Sequence, residues 1–332
     1  MSTYKAIQIE QTGGVDALKI NDVPKSTPSP TQVLVKNEFI GINFIDTYHR
    51  TGLYPLPLPA TLGREAAGIV EAVGAEVKGI SVGDRVTYLA AGSYGEYNVV
   101  ERKHIFKLPE SISTKTAAAI LLQGLTALTM VQESYKIKQG DFVLIHAAAG
   151  GTGQQLVRLA KHFGATVIGT TSSAEKAEIA RKAGAHHIIN YREEDVVKKV
   201  LELTENKGVH AVLDGVGKDT FDISLGSLRR LGSFISFGNA SGAVPPLNIS
   251  KLGPKNVRLM RTQLFGFIET QEEFEHWSTE LFNLFTQGAI TEEIYKVYAF
   301  SDIKQAHTDL EGGKTTGKLI LNFIQLIFLI IK

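Results

Sequence analysis

Phe142-Val143-Leu144-Ile145 is followed by Ala147-Ala148-Ala149-Gly150-Gly151-Thr152-Gly153 and then by Gln154-Gln155-Leu156-Val157-Arg158-Leu159-Ala160. The first run reads as a buried strand and the glycines as a tight turn. Leu156, Leu159, Ala160 and Phe163 recur at helical spacing, so the turn opens onto a helix. A strand that breaks into glycines and resumes as a helix gathers backbone N–H groups and a helix N-terminus at one point. That arrangement suits a pyrophosphate and points to a nucleotide cofactor. The segment lies near mid-chain, so other structure precedes it.

The alternation continues downstream. Strands are expected at Phe142–His146, Thr166–Thr170, His187–Asn190, Ala211–Asp214, Ser233–Phe237 and Val257–Leu264, with helical patterns between the first five and Gly184 as a helix C-cap. Six strands in this rhythm predict an α/β architecture with a parallel, doubly wound, Rossmann-type sheet. Residues 1 to about 127 read instead as β-rich, with short alternating runs such as Val33-Leu34-Val35-Lys36 and Arg85-Val86-Thr87-Tyr88 between Gly, Pro and Asp turns. After the sixth strand come one helix around Gln271–Thr286 and a closing strand, Gly317–Phe323. These are expected to rejoin the first domain, dividing the chain into 1–127 with 267–332, and 128–266.

With 35 basic and 34 acidic side chains the net charge is +1, which supplies no electrostatic footprint for nucleic acid or an anionic membrane. The absence of cysteine excludes disulfides, thiolate catalysis and Cys-ligated zinc, and fits a reducing, cytoplasmic setting. The C-terminal run from Leu319 to Ile331 is nearly all apolar. As a helix it would extend about 20 Å, short of the roughly 30 Å of a bilayer core, so it reads as a terminal strand with a tail and not as a membrane anchor.

On the G-x-G-x-x-G pattern the turn carries Ala148, Gly150 and Gly153. NAD enzymes place an acid about 20 residues on, to bond the adenosine ribose. Here the second strand ends Gly169-Thr170-Thr171-Ser172-Ser173, with no acid before Glu175. Ser172 and Lys176, supported by Tyr191 at the end of the third strand, suit a 2′-phosphate and favour NADPH over NADH. Ser172 and Glu175 also fit a helix capping box.

Gly63-Arg64-Glu65-Ala66-Ala67-Gly68-Ile69-Val70 resembles the G-H-E-x-x-G-x-V signature of medium-chain dehydrogenases/reductases. Gly41-Ile42-Asn43-Phe44-Ile45-Asp46 resembles their segment for the first zinc ligand. Asn43 and Arg64 stand where zinc enzymes hold Cys and His, and the cysteine-rich structural-zinc loop is missing, so the likeness is to the zinc-free branch. Asn43–Tyr48 with Gly52-Leu53-Tyr54-Pro55, His146–Gly153, Asn190–Asp195 and Ser236-Phe237-Gly238-Asn239 resemble segments of ζ-crystallin-like NADPH:quinone oxidoreductases. The resemblance implies a GroES-like catalytic domain, a Rossmann domain, a cleft between them and a homodimer.

Without zinc there is no Lewis acid to assist alcohol oxidation. Hydride delivery from NADPH to a quinone or another electrophilic acceptor is the expected reaction. Asn43 and Tyr48 are the expected donors to the acceptor oxygen, with Tyr54 as wall or donor. Gly150, Gly151, Thr152, Gly153, Ser172, Lys176 and Tyr191 are the expected cofactor residues, and the resemblance places Phe237, Gly238 and Asn239 with them. The resemblance adds Gln123 and Thr126 beside the nicotinamide, Arg64 reads as a structural ion-pair partner, and no metal ligand is expected. The alternatives are NADPH-dependent reduction of an enal or enone double bond and, by the resemblance alone, binding of AU-rich RNA by a crystallin-like protein.

Overall fold

The computed structural model describes residues Ser2–Phe323, so the apolar tail Ile324–Ile331 lies outside the described residues. Two compact units emerge. The first comprises the described residues up to Leu122, Glu269–Phe282, and those from Glu292 onward; the second comprises Gln123–Ile268 and Asn283–Thr291.

The first unit begins with β1 (Thr3–Ile9), β2 (Lys19–Pro24), β3 (Gln32–Ile42), α1 (Phe44–Thr51), β4 (Ala60–Thr61), β5 (Glu65–Val73), β6 (Arg85–Leu89), β7 (Tyr97–Glu101) and β8 (Ile105–Lys107). The eleven-residue β3 pairs antiparallel with β5 and β7. Val33, Val35, Ile40 and Ile42 of β3 enter a core shared with Ala66, Val70, Val86 and Tyr88. This is the GroES-like domain, and two helices interrupt its β-rich pattern. One is α1, in the segment read as substrate-binding. The other is α2 (Thr114–Thr129), which runs on into a π-helical turn, Met130–Ser134. Thr114–Ser134 is apolar and long enough to cross a membrane by composition, but 72% of its apolar window is buried inside the protein, which makes it a core helix.

The second unit follows with β9 (Phe142–Ile145), α3 (Gly151–His162), β10 (Thr166–Thr171), α4 (Ala174–Ala183), β11 (His187–Asn190), α5 (Val196–Leu203), β12 (Val209–Asp214), α6 (Phe221–Ser227), β13 (Leu228–Ser236) and β14 (Arg258–Arg261). The strand order is β11-β10-β9-β12-β13-β14 and every pairing is parallel. This is the expected doubly wound sheet, whose order reverses between β9 and β12 and opens a crevice at their C-terminal ends. Its central strands are apolar on both faces, as helices on either side require: Val143, Leu144, Ile145, Val167 and Ile168 are fully buried.

Local boundaries moved. The first strand stops at Ile145, α3 starts at Gly151 so that two glycines form its first turn, and β13 begins at Leu228 and leaves Phe237 in the following loop. The sixth strand is shorter than expected, ending at Arg261. α7 (Gln271–Thr286) matches its predicted span, and Gly184 is the left-handed C-cap of α4. Between α7 and β16 (Lys318–Asn322) lie two elements the sequence reading lacked, β15 (Ile294–Ala299) and α8 (Ile303–Glu311). β15 and β16 pair in parallel, and β16 joins β3, so the chain's end rejoins the first sheet.

Candidate active site

In the first unit the chain leaves β3 through Asn43, the N-cap of α1. The Asn43 backbone N–H donates to Asp46 Oδ2 (2.8 Å), fixing the helix start. Asn43 Nδ2 donates to Glu65 Oε2 (2.9 Å) and to the Gly41 carbonyl (3.3 Å), and its Oδ1 accepts from Lys318 Nζ (2.7 Å). Lysine only donates and a carboxylate only accepts, so these partners fix which way the amide faces. Lys318 also donates to Glu65 Oε2, and Glu65 Oε1 accepts from the Leu122 N–H (2.7 Å). Glu65 is 0% exposed and Lys318 1%. The amide protons of Asn43, expected to serve an acceptor oxygen, are therefore committed inside the protein.

A second set of bonds runs from Asp46 to the surface. Tyr94 Oη donates to Asp46 Oδ2 (2.8 Å) and lies 3.2 Å from His307 Nε2; His307 Nδ1 lies 3.2 Å from Arg50 Nη1. Tyr94 has spent its proton on Asp46, so His307 Nε2–H donates to the phenol and Nδ1 accepts from Arg50. Arg50 Nη2 ends the chain on Glu311 Oε1 (2.7 Å). Burial holds the Asp46 carboxyl up at about 6, against the opposing pull of its two hydrogen bonds and the Lys318 and Arg64 charges. Burial, reinforced by the Arg50 charge, pushes His307 down to about 3.

Tyr48 lies on α1, which ends at Gly52 in the left-handed region (φ 84°), and the Tyr54 N–H returns to the Tyr48 carbonyl (3.1 Å). The turn brings the Tyr48 and Tyr54 rings edge to face at 5.1 Å. Phe44 packs against Tyr48 and is itself part-exposed, so three aromatic side chains form one apolar wall with phenol oxygens on it. Arg64 Nη2 donates to His49 Nε2 (3.0 Å), and His49 Nδ1–H donates to the Tyr54 carbonyl (3.2 Å). Burial lowers the pKa of Arg64, and the Asp46 charge opposes that shift. A carboxamide and a guanidinium are poor zinc ligands, and among the described residues no group of three His, Cys, Asp or Glu is placed to hold a metal ion.

In the second unit the residues fit a dinucleotide. Gly150 is the N-cap of α3 and no side chain caps the helix, which has no acid in its first turn. Its leading N–H groups are thus oriented to receive an anion. A Cβ on Gly153 would overlap the Ala147 carbonyl, and one on Gly151 would overlap the Gln123 amide, so Gln123 lies against the turn. Thr126 sits one helical turn beyond, part-buried. Ala147 itself takes φ 50°, the left-handed conformation that starts the turn.

Beyond β10, the cap of α4 is Ser173 and not Ser172: Ser173 Oγ accepts from the Lys176 N–H (3.3 Å). The N-cap must leave the strand in an extended conformation, and β10 runs one residue further than expected, to Thr171. Ser172 is left as a part-buried residue between strand and cap. Burial and then the nearby Arg192 charge lower the pKa of Lys176. Arg192 lies inside the Asn190–Asp195 segment of the resemblance without having been singled out there, and it directly follows Tyr191, which is 52% exposed. The Lys176 and Arg192 charges oppose each other there, while the Glu175 carboxylate acts on Lys176 in the other direction. On the far side of the sheet, the Phe237 ring covers Gly215, Arg261 Nη1 donates to the Gly238 carbonyl (3.0 Å), and the Gly242 N–H closes on the Asn239 carbonyl (2.9 Å).

Residues 29–110 match the alcohol dehydrogenase GroES-like domain and residues 151–283 the zinc-binding dehydrogenase family. The chain is 43% identical to a quinone oxidoreductase of Pseudomonas aeruginosa over 321 residues, covering 96% of this chain and 99% of that one. A crystal structure of Escherichia coli quinone oxidoreductase complexed with NADPH superposes with a TM-score of 0.92 at 42% identity, over 96% of this chain and 99% of that one. The chain belongs to the quinone oxidoreductase family of the medium-chain dehydrogenases/reductases. The chain is also similar to a relative of different name, a 2-haloacrylate reductase of Burkholderia, at 38% identity over 95% of this chain and 98% of that one. Against this family frame, the residues that sequence reasoning passed over are Lys318, Asp46, Tyr94 and His307. Their signal was weak because each is an ordinary polar residue until the tertiary fold buries it.

Proposed function

We propose that the protein is an NADPH:quinone oxidoreductase that reduces quinones without a metal. The observation that carries the cofactor assignment is the chain's similarity along its whole length to quinone oxidoreductases, one of them solved in complex with NADPH, and Lys176 and Arg192 near the end of β10 supply cations for a 2′-phosphate. NADPH, when bound, supplies the hydride. Gly150–Gly153 and the α3 N-terminus hold the pyrophosphate. Ser172, Lys176, Tyr191 and Arg192 hold the 2′-phosphate. Gln123, Thr126, Phe237, Gly238 and Asn239 orient the nicotinamide.

The quinone lies against Tyr48 and Tyr54, whose hydroxyls donate to the oxygen that gains negative charge as the ring is reduced. A proton from solvent then completes the hydroquinone. Asn43, with its amide engaged by Glu65 and Lys318, acts as the rigid start of the helix that presents Tyr48.

The likeness to a 2-haloacrylate reductase favours a second reading, NADPH-dependent reduction of an activated carbon–carbon double bond. Steady-state NADPH oxidation with 1,4-benzoquinone and with a 2-alkenal separates the two. A higher kcat/KM for the quinone is expected, and a much higher one for the alkenal would replace the first reading. A homodimer and a cytoplasmic location complete the proposal. Light scattering at the mass of two chains and cell fractionation test them.

A further inference from the structure

The second unit buries a hydrogen-bond chain that no cofactor assignment uses. His146, 3% exposed, directly follows β9 and leads into the glycine turn. Its Nδ1 lies 3.1 Å from Thr170 Oγ1 and its Nε2 lies 3.1 Å from Ser224 Oγ. Ser224 Oγ donates to Asp214 Oδ2 (2.9 Å), and Thr220 Oγ1 donates to the same oxygen (2.7 Å). Asp214 Oδ1 accepts the N–H groups of Val216 (2.7 Å) and Gly217 (3.1 Å).

Hydrogen-bond chemistry gives this chain one direction. The carboxylate accepts, so Ser224 spends its only proton on Asp214 and must accept from His146 Nε2–H. Burial holds His146 neutral, which makes Nδ1 an acceptor for the Thr170 hydroxyl. The order Thr170 to His146 to Ser224 to Asp214 allows no alternative proton placement.

Three members, His146, Thr170 and Asp214, sit at the roots of different loops, and Ser224 reaches His146 and Asp214 from α6. Thr170 precedes Thr171–Ser173 and its carbonyl accepts the Ala148 N–H (3.1 Å) from the glycine turn. Asp214 shapes Gly215–Gly217, whose carbonyls accept from the next loop: Ala240 N–H to Gly215 (3.2 Å) and Ser241 N–H to Val216 (2.8 Å). That next loop carries Phe237–Asn239. Gly217 and Gly238 pack so closely on the facing backbone that a Cβ on either would collide with it. The residues assigned to the 2′-phosphate end and to the nicotinamide end are thereby joined by one continuous set of hydrogen bonds, buried from Thr170 through His146 and Ser224 to Asp214.

We infer that Ser224 is a positioning residue for the cofactor: through His146 and Asp214 it couples the loop that holds the 2′-phosphate to the loop that holds the nicotinamide, so that the two ends of NADPH bind cooperatively. The inference rests on the NADPH reading above. Buried networks of this kind interact more strongly than their separate deletions suggest, and a double-mutant cycle measures the excess.

The test is isothermal titration of NADPH into the wild type, Lys176→Ala, Ser224→Ala and the double variant, with melting of each unliganded protein to establish that it is folded. Thr170→Val, which removes only a hydroxyl, breaks the other end of the chain and guards against a Ser224 variant that does not fold. Ser224→Thr restores the hydroxyl and is expected to restore binding. Lys176→Ala is expected to weaken NADPH about fivefold less in the Ser224→Ala or Thr170→Val background than in the wild type. Equal weakening in all backgrounds, with tight wild-type binding, would overturn this inference alone. A wild type that does not bind NADPH would overturn the cofactor reading and this inference with it.

Discussion

Lys318 Nζ, on the last described strand, lies 2.7 Å from Asn43 Oδ1 at the head of α1 and donates at the same time to Glu65. Two residues 275 positions apart thus share one fully buried polar centre. An ion pair this deep contributes little net stability over an apolar filling, but it makes each partner indispensable to the other.

Lys318→Met leaves Glu65 as an unpaired buried carboxylate and is expected to destabilise the protein by about 3–5 kcal/mol. Lys318→Met combined with Glu65→Leu removes both charges, and is expected to recover much of the loss. Urea denaturation of the two variants measures the difference.

The Asp46 and His307 shifts make opposing predictions for acid stability. Asp46 is raised from 3.8 to about 6 in the folded state, so its stabilising effect is fully present below pH 3.8 and is lost as pH rises through 6. His307 is depressed from 6.5 to about 3, so its effect is present above pH 6.5 and is lost as pH falls toward 3. Between pH 4 and 6 the folded state holds one proton more at Asp46 and one fewer at His307, and the two slopes cancel. Asp46→Asn is expected to leave a stability that rises with pH by about 1.4 kcal/mol per unit in this window, and His307→Gln one that falls by about the same amount. Denaturation midpoints at pH 4.5, 5.0 and 5.5 give the slopes, and unchanged slopes in both variants would refute the assignment.

At the proposed 2′-phosphate site, Lys176→Ala and Arg192→Ala are each expected to raise the Kd of NADPH about 10-fold or more while leaving NADH nearly unchanged, because a charge-assisted bond contributes about 1.5–3 kcal/mol. The preference for NADPH should shrink with added salt. Titration with both dinucleotides checks this, and equal losses for the two would remove these residues from the phosphate site.

The two glycines in the first turn of α3 differ in what surrounds them. A side chain at Gly153 meets the Ala147 backbone, whereas one at Gly151 first meets the flexible end of Gln123. Gly153→Ala is therefore expected to displace the turn and weaken NADPH binding well over 10-fold. Gly151→Ala should cost only a few-fold, and Gly151→Ala with Gln123→Ala less still. A larger loss for Gly151→Ala than for Gly153→Ala would contradict this packing.

How far the sequence could be read depended on the range of the forces involved. The six strands, the glycine turn and the Gly184 cap are set by neighbours within a few residues, and their pattern is visible along the chain. The choice between Ser172 and Ser173 as cap was not, because it depends on where β10 stops pairing with β11 at Thr171–Asn190. α8 carried a readable face in Ile303, Ala306 and Leu310, but β15 exposes Tyr295, Lys296 and Val297 on the sheet edge and lacks the alternation of a half-buried strand.

The sequence by itself determined the doubly wound cofactor fold, the β-rich domain before it and the loss of zinc ligands at Asn43 and Arg64. The first two are written in local periodicity, and the third is legible only through the resemblance of Gly41–Asp46 and Gly63–Val70 to the medium-chain dehydrogenases/reductases. Tertiary structure alone decided that Asn43 is held by Lys318 and Glu65, that Asp46 and His307 share a buried network through Tyr94, and that Ser224 links His146 to Asp214. Burial turns these ordinary polar side chains into partners with shifted proton affinities and fixed hydrogen-bond directions, and burial is a property of the folded chain and not of any segment of it.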